Sequence, residues 1–276
     1  MLNKETLQHI EAQALIASGT RIEISGGATL AVLPEGARTL DLEQYQELRN
    51  SFRGALKTHS LRDFCKYVTN HVDNLSAAGP SGFINQDNMS AQVLFNLGTP
   101  DTAGHADDTA TLTLKPTAAF KAVEAIVGQK LSQQALAEWL EDWARNIEAS
   151  AGEEKLDIVA AINGIRRMTI KATSQRDSAV GDLSASRSAM DEIEARSLET
   201  LPTSFHFTTV PYEGLAPALI TLRLSVITGD NAPVLKLRWV GEEAQREEFA
   251  EEFKNVLGTE IGGLVPLTIG TFQLGK

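Results

Sequence analysis

The chain has 276 residues, of which 42% are hydrophobic and 22% charged, and its formal net charge at pH 7 is -11. This composition excludes an intrinsically disordered protein, and a chain of this length buries about 75% of its unfolded surface without needing disulfides. The excess of acidic groups repels nucleic acid and anionic membranes at long range, so binding to either would require a local basic patch.

Two features of the sequence predict a cytoplasmic location. Charges and glutamines interrupt the first twenty residues, where a secretory signal peptide requires a continuous apolar run. No segment reaches the roughly eighteen consecutive apolar residues of a membrane span. The single cysteine, Cys65, has no partner for a disulfide within the chain. We therefore expect a cytoplasmic protein that does not use a membrane as a partner.

The N-terminal part predicts one helix and several short elements. Hydrophobic residues recur at helical spacing between residues 2 and 19 and predict an amphipathic helix. Two apolar runs within residues 20–33 flank a Gly-Gly turn and predict a hairpin. Asp41 is placed to cap a short helix over residues 42–48, and residues 52–57 predict a strand.

Residues 60–75 predict an amphipathic helix with a defined start. Ser60 and Asp63 have the spacing of a capping box, in which the serine side chain accepts a hydrogen bond from the backbone three residues later. The apolar face consists of Leu61, Phe64, Cys65, Val68, Val72 and Leu75. We interpret Cys65 as a small buried hydrophobe and predict that His71 stabilises the C-terminal end of the helix dipole.

An acidic loop between two predicted strands carries the candidate metal ligands. Residues 89–97 and 110–114 alternate between apolar and polar side chains, which predicts two half-buried strands. The connecting loop holds four groups that bind hard cations: Asp101, His105, Asp107 and Asp108. Oxygen and imidazole donors of this kind bind a divalent cation. The alternative is a solvated loop whose aspartates oppose strand pairing between molecules.

Three helices are predicted between residues 116 and 164. Pro116 suits the first position of a helix that ends at Gly128. The second helix begins at Ser132 and places two tryptophans on its apolar face. The third spans residues 154–163 and ends at Gly164.

From Ile165 onward the hydrophobic pattern changes to a period of two residues, which predicts an antiparallel sheet. Residues 204–208 form one alternating strand between two prolines. Residues 220–226 and 235–239 form two more, and the Thr-Gly-Asp-Asn turn at residues 228–231 joins them into a hairpin.

The predicted hairpin places three basic residues on one face. If Ile227 pairs with Ala232, the core face contains the pairs Leu222 with Leu237, Leu224 with Leu235, and Ile220 with Trp239. The opposite face then carries Arg223 directly across from Lys236, with Arg238 close by. Because like charges in these positions repel, the sequence predicts a neutralising group. That group is a carboxylate on a third strand or a neighbouring subunit, water, or a nucleic-acid phosphate.

These elements predict an α+β fold in which antiparallel sheets pack against amphipathic helices. The C-terminal part is expected to be rich in strands, with one late helix over residues 242–257 and a closing strand over residues 264–272. The predicted division is an N-terminal α+β region (1–152), a connecting helix (153–164) and a C-terminal antiparallel region (165–276). The alternative is that all three form one compact domain.

The sequence lacks the common catalytic and cofactor motifs. It contains no G-x-G-x-x-G, no G-x-x-x-x-G-K-S/T, no H-E-x-x-H, no C-x-x-C and no G-x-S-x-G. We therefore predict no catalytic residue and no cofactor, and we favour a non-enzymatic role.

One pattern imitates a magnesium-dependent nuclease. Asp101 followed downstream by Glu153-x-Lys155 matches the residue types that hold magnesium and activate water. That chemistry requires the Glu-x-Lys residues on an extended strand, whereas the sequence predicts that they open a helix. The predicted helix therefore argues against a nuclease.

Several short segments in the same order resemble the YfdQ family of phage- and prophage-encoded proteins. The N-terminal segments are Leu33-Pro34-Glu35-Gly36, Arg53-Gly54, Phe64, Tyr67-Val68, His71, residues 110–114, Phe120 and residues 136–143. The C-terminal segments are Leu201-Pro202, Phe205, Val210-Pro211, Glu213-Gly214, Leu222-Arg223 and Leu237-Arg238-Trp239. The resemblance implies a phage context in a bacterial host and no known reaction.

Three functional hypotheses follow from the sequence. The preferred one is a phage-encoded accessory protein that associates with itself into a homo-oligomer or a larger assembly, because predicted sheets offer edges for pairing. The second is a nucleic-acid-associated protein that uses Arg223, Lys236 and Arg238. The third is a metal-dependent hydrolase that uses the aspartates of the acidic loop.

Overall fold

The computed structural model describes residues 3–19, 43–49, 51–72, 79–168, 201–227 and 234–273. The chain divides into two units, Met1–Phe52 and Arg53–Lys276. The hairpin predicted over residues 20–33, the capping residue Asp41 and the turn at residues 228–231 lie outside the described residues.

In the first unit the predicted N-terminal helix is confirmed. Helix α1 spans Lys4–Gly19, and the Asn3 side-chain oxygen accepts a hydrogen bond from the Thr6 backbone amide at 2.9 Å. Leu7 and Ile10 on this helix are exposed to solvent. A single 3-10 turn at Glu43–Tyr45 occupies part of the predicted short helix.

The first sheet of the second unit mixes parallel and antiparallel pairs. Its strands are β1 (Gly54–Thr58), β2 (Ser81–Asn85), β3 (Ser90–Leu94), β4 (Asp108–Thr113) and β10 (Leu267–Ile269). The order is β1-β4-β3-β2-β10, with β1 parallel to β4 and β2 parallel to β10. The strands predicted over residues 52–57, 89–97 and 110–114 are therefore confirmed.

Strand β2 was not predicted from the sequence. Ser81–Asn85 buries only Gly82 and Ile84, and the adjacent apolar residues Phe83 and Ile84 break the alternating pattern of a half-buried strand. An added Cβ at Gly82 would lie 2.5 Å from Leu267 Cδ2 and 3.1 Å from Val265 Cγ1, so a larger residue would require these two side chains to shift. The close approach of β10 explains the glycine, and the glycine weakens the strand signal.

The second sheet is antiparallel throughout, as predicted. Its strands are β5 (Ile147–Ala151), β6 (Glu154–Leu156), β7 (Ser204–Thr209), β8 (Ala218–Ile227) and β9 (Val234–Trp239). The order is β6-β5-β7-β8-β9. Two of these strands, β5 and β6, come from the part of the chain before Ile165, where the sequence predicted helices.

The predicted register of the β8–β9 hairpin is wrong by two residues. Ile227 pairs with Val234, so that Leu222 lies opposite Trp239 and Leu224 opposite Leu237. Because the side-chain period of a strand is two, a shift of two residues leaves each side chain on its predicted face. Leu222 and Leu237 are accordingly fully buried.

The described residues of the second unit also form five α-helices: α2 (Leu61–Val72), α3 (Ala118–Ile126), α4 (Gln133–Asp142), α5 (Ile158–Arg167) and α6 (Glu242–Ile261). The predicted N-terminal caps Ser60 and Ser132 are confirmed, since their hydroxyls accept backbone hydrogen bonds at 3.3 Å and 3.1 Å. The predicted start of α3 at Pro116 is wrong, because Thr117 is the cap. The late helix α6 is confirmed and extends four residues beyond the predicted end at residue 257.

The helix predicted over residues 154–163 begins and ends later than expected. Residues 154–156 form β6, and the Asp157 carboxylate caps α5 by accepting from the amides of Val159 and Ala160 at 3.1 Å. Gly164, predicted to end the helix, is a buried residue inside it. The start of the helix was predicted too early because the three residues of β6 show no pattern that distinguishes them from the helix that follows.

Both sheets contribute to one apolar core. Its largest fully buried side chains include Phe64, Phe95, Phe120, Phe205, Phe207 and Phe253. Sheet residues and helix residues from both sides of the predicted connecting segment 153–164 belong to it. The predicted division at residues 152 and 164 stays a prediction. Within the described ranges, no helix is both long and apolar enough to cross a membrane.

Candidate functional site

The outward side of the second sheet carries polar and basic side chains, which we call the basic sheet face. Alternation along the strands buries Phe205, Leu222 and Leu237 and turns their neighbours outward. The members of the basic sheet face are Ser150, Lys155, Ser204, His206, Thr221, Arg223, Lys236 and Arg238.

Five of these residues form a straight row across all five strands. Lys155 of β6 pairs with Ser150 of β5, which pairs with Ser204 of β7. Ser204 pairs in turn with Arg223 of β8, and Arg223 pairs with Arg238 of β9. Side chains directly opposite in an antiparallel sheet have Cβ atoms about 5 Å apart, so the row is a continuous polar strip.

Like charges face each other at one end of this row. The sequence placed Arg223 opposite Lys236, but the observed register places it opposite Arg238, and Lys236 lies opposite Ser225. Within the described residues, neither the two arginines nor Lys236 makes a hydrogen bond or an ion pair. The third strand provides Ser204 where a neutralising carboxylate was predicted. The repulsion is therefore left for water or a bound anion to relieve.

Hydroxyl and imidazole groups occupy the centre of the basic sheet face. The Ser150 and Ser204 hydroxyls share a hydrogen bond of 2.8 Å, and Ser150 Oγ lies 3.3 Å from His206 Nε2. His206 Nδ1 lies 3.4 Å from Thr221 Oγ1. Such groups donate to carboxylate and phosphate oxygens. Sequence analysis missed them, although the polar positions of the alternating 204–208 strand mark two of them.

Lys155 of the basic sheet face has an acidic partner on the neighbouring strand β5. Its ammonium group lies 2.7 Å from Glu148 Oε1. The hydrogen bond and the charge of Lys155 lower the pKa of Glu148, and His206 adds a smaller effect. Because both side chains are mostly exposed, solvent screens this pair strongly.

A second charged surface, which we call the acidic groove, runs along α6. This cavity of about 1280 Å³ lies between α6 and the turn joining β2 to β3. Its floor is apolar and includes Met89, Tyr212 and Val256. Its carboxylates are Asp87, Glu247, Glu248, Glu251, Glu252 and Glu260.

Four carboxylates of the acidic groove are without partners. Glu251 binds Lys254 at 2.5 Å, and Glu252 accepts a hydrogen bond from the Ala216 amide at 2.6 Å. In the part of the chain that the structure covers, the other four, Asp87, Glu247, Glu248 and Glu260, make no ion pair. The groove is therefore strongly negative.

Arg246 in the groove wall does not neutralise these carboxylates. Its guanidinium group lies 3.0 Å from Glu124 and 3.0 Å from Glu242, and it stacks over Trp239 at 5.0 Å. Burial has the largest single effect on the pKa of Arg246 and lowers it. The hydrogen bonds and charges of Glu124 and Glu242 together outweigh burial, so the pKa of Arg246 is raised. Arg246 thus ties α6 to α3.

Two of the four predicted metal ligands bind other side chains. Asp108 is buried and accepts a hydrogen bond from His71 at 2.7 Å, whereas Asp107 accepts one from Asn96 at 2.7 Å. Asp101 and His105 are exposed in the loop. Among the residues that the structure describes, no three His, Cys, Asp or Glu side chains are grouped to hold a metal ion. The metal site stays a prediction from the sequence.

Asp108 instead belongs to a small buried cluster with His71. The imidazole of His71 contacts the rings of Tyr67 and Phe95, at centroid distances of 5.1 Å and 4.3 Å, and these two rings also contact each other at 6.0 Å. One carboxylate oxygen of Asp108, Oδ1, is buried without a hydrogen-bond partner. Burial, and then the charge of Asp108, raises the pKa of Tyr67. The role predicted for His71 was helix capping; its ring also binds this carboxylate.

The prediction that Glu153 and Lys155 open a helix is wrong. Glu154–Leu156 forms strand β6, so Lys155 lies on an extended strand instead of opening a helix. Asp101, however, belongs to the loop that leads into the first sheet, and the Lys155 ammonium group binds Glu148. Among the described residues, no three acidic, histidine or cysteine side chains are grouped around Lys155 to hold the magnesium ion of a nuclease.

A cavity of about 430 Å³ between α2 and α6 contains Cys65, which is buried as predicted. Burial raises the pKa of the thiol to about 11, and the negative charge of Glu260 adds to the shift. The thiolate is the nucleophilic form of cysteine. Cys65 is thus held in its unreactive, protonated form at neutral pH.

We expect Cys65 to react slowly with Ellman's reagent in the folded protein at pH 8. The rate should rise as the pH approaches the pKa of about 11, and unfolding in guanidinium should restore the rate of a free thiol. Glu260→Gln should accelerate the reaction only modestly, because burial is the larger cause of the shift. A reaction equally fast in the folded and unfolded protein would contradict the burial of Cys65.

Comparison with known proteins gives one match. The family described as "Uncharacterized conserved protein (DUF2303)" matches residues 3–272. No curated protein and no solved structure matches the chain.

Proposed function

We propose that this chain, which belongs to the uncharacterized conserved protein family DUF2303, is a non-enzymatic accessory protein that acts by binding further copies of itself. The resemblance to YfdQ proteins supports a phage or prophage origin and a place in the cytoplasm of the bacterial host. The missing catalytic and cofactor motifs support a binding role.

The observation that carries this proposal is the group of unpartnered cations on the basic sheet face. Arg223 and Arg238 lie directly opposite each other, and neither binds an acidic group within the described residues. Such a pair is stabilised by an anionic partner. In a protein with a net charge of -11, a second copy is itself a source of carboxylates.

The edges of the first sheet give independent support. Strands β1 and β10 are at its two ends, and no other described strand pairs with their outer edges. Ile269 on β10 is exposed, as is Phe272 just beyond it. Open edges with exposed apolar side chains favour contact between protein molecules.

Light scattering coupled to size-exclusion chromatography tests the proposal. At micromolar concentration we expect a mass above the 29.8 kDa of one chain, with a concentration-dependent profile. A mass of 29.8 kDa throughout the micromolar range would remove self-association as the function.

A second candidate function is binding of nucleic acid at the same face. The specific observation in its favour is the row in which Ser150 and Ser204 continue the line of Arg223 and Arg238. Hydroxyls beside arginines are typical contacts to a phosphate backbone. The acidic groove and the negative net charge repel nucleic acid at long range, and this argues against the hypothesis.

Fluorescence anisotropy with labelled single- and double-stranded DNA tests this candidate. Binding through Arg223, Lys236 and Arg238 should weaken steeply with salt, and replacing all three with glutamine should reduce the salt slope by up to about 3. Binding that is absent, or that ignores salt, would eliminate the candidate.

A further inference from the structure

We propose that the basic sheet face of one copy docks into the acidic groove of the next copy, so that the protein assembles head to tail. This inference rests on the proposed self-association and names its two contact surfaces.

Within the described residues, the two surfaces do not neutralise each other. The second sheet packs Phe205 and Leu222 into the core and turns its basic face away from it. Helix α6 packs Phe249 and Phe253 into the same core and turns its glutamates away from it. Each charged surface therefore points outward from the shared core, in a position to contact another molecule.

The charges of the two surfaces are opposite in sign and similar in number. Three cations, Arg223, Lys236 and Arg238, lack partners among the described residues. Four carboxylates of the groove lack partners by the same criterion: Asp87, Glu247, Glu248 and Glu260. Arginine binds carboxylates through two parallel hydrogen bonds, which favours Arg223 and Arg238 as the main contacts.

Apolar side chains accompany the charges on both surfaces. Leu219 and Val240, at one end of the basic sheet face, are 55% and 38% exposed. The groove floor presents the partly buried Tyr212 and Val256. Apolar contact in the centre with charge pairs around it is the usual composition of a protein interface, so the partner class that fits both surfaces is a second copy of this chain.

This contact determines the symmetry of the assembly. The face and the groove are different surfaces, so each copy uses one surface for each of two neighbours. Heterologous contacts of this kind form a ring when they close and a filament when they do not. Because the contact is electrostatic, salt should weaken it.

Neutralising one surface at a time tests the inference. The face variant carries Arg223→Gln and Arg238→Gln, and the groove variant carries Glu247→Gln and Glu248→Gln. Each variant should sediment as a monomer, with self-association weakened about tenfold or more. The matched control, Lys115→Gln with Lys121→Gln, removes two exposed cations that belong to neither surface and should assemble as the unmodified chain does.

A mixture of the two variants gives the most specific result. The face variant keeps an intact groove and the groove variant keeps an intact face, so an equimolar mixture should form a one-to-one dimer that does not grow. Circular dichroism confirms that each variant is folded before mixing.

The remaining outcomes separate the inference from the proposed function. If both variants assemble like the unmodified chain, head-to-tail docking is wrong while self-association stands. If the unmodified chain is a monomer, both fail. If it is a monomer whose face binds DNA oligonucleotides and the face variant does not, the basic sheet face serves nucleic acid instead.

Discussion

Replacing Phe120 with alanine is expected to lower the free energy of unfolding by about 4 kcal/mol. The ring is fully buried and contacts Tyr212, Trp239 and Phe249 at centroid distances of 5.5, 5.8 and 5.8 Å. The Arg246 guanidinium group lies 5.8 Å above its centre. Alanine would leave a cavity where α3, α6 and the second sheet meet. Urea unfolding followed by circular dichroism and tryptophan fluorescence measures the loss.

Phe272→Ala provides the matched control. Phe272 stacks on Phe83 at 4.8 Å, but it lies outside the core and is 36% exposed. Its loss should cost only about 1 kcal/mol, which is the usual value of an aromatic pair. Equal losses for the two variants would show that Phe120 is not the centre of the core.

Asp108→Ala is expected to lower the free energy of unfolding by about 2 kcal/mol, because it removes the buried acceptor of a hydrogen bond to the His71 ring. The 2.7 Å contact with His71 joins the end of α2 to the start of β4. The unpartnered Oδ1 offsets part of this loss, since burying an unsatisfied oxygen is itself costly. Chemical denaturation of the single variant measures the net effect.

A double-mutant cycle separates the pair from its surroundings. His71→Ala alone should also destabilise, and the double variant should lose less than the sum of the single losses. Asp108→Asn keeps the shape of the side chain and should cost less than alanine. Strict additivity of the two alanine variants would show that His71 and Asp108 do not stabilise the fold together.

The sequence predicted those elements whose pattern is local. Alternating leucines mark β8, and the side chains of Ser60 and Ser132 mark the starts of two helices, because a cap forms within four residues of chain. Strand β6 was not predicted because a run of three residues is too short to show a periodic pattern. The hairpin register was predicted wrongly because it depends on the number of residues between Ile227 and Val234 that pair, and the turn pattern alone does not determine that number.

The candidate site was predictable only in part. Arg223, Lys236 and Arg238 were grouped correctly, because one hairpin carries all three. Ser150 and Ser204 come together through the pairing of β5 with β7, which joins distant parts of the chain. The acidic groove likewise combines α6 with a turn of the first sheet. Contacts between segments far apart in the chain cannot be predicted from the spacing of residues within either segment.

The position of β10 has a consequence for synthesis of the protein on the ribosome. Leu267 pairs with Gly82, so the first sheet receives this edge strand only after about 180 further residues have been made. Until then the apolar edge of β2 is uncovered and open to premature association. Contacts between residues so far apart in sequence also slow folding, because a long loop must close before they form.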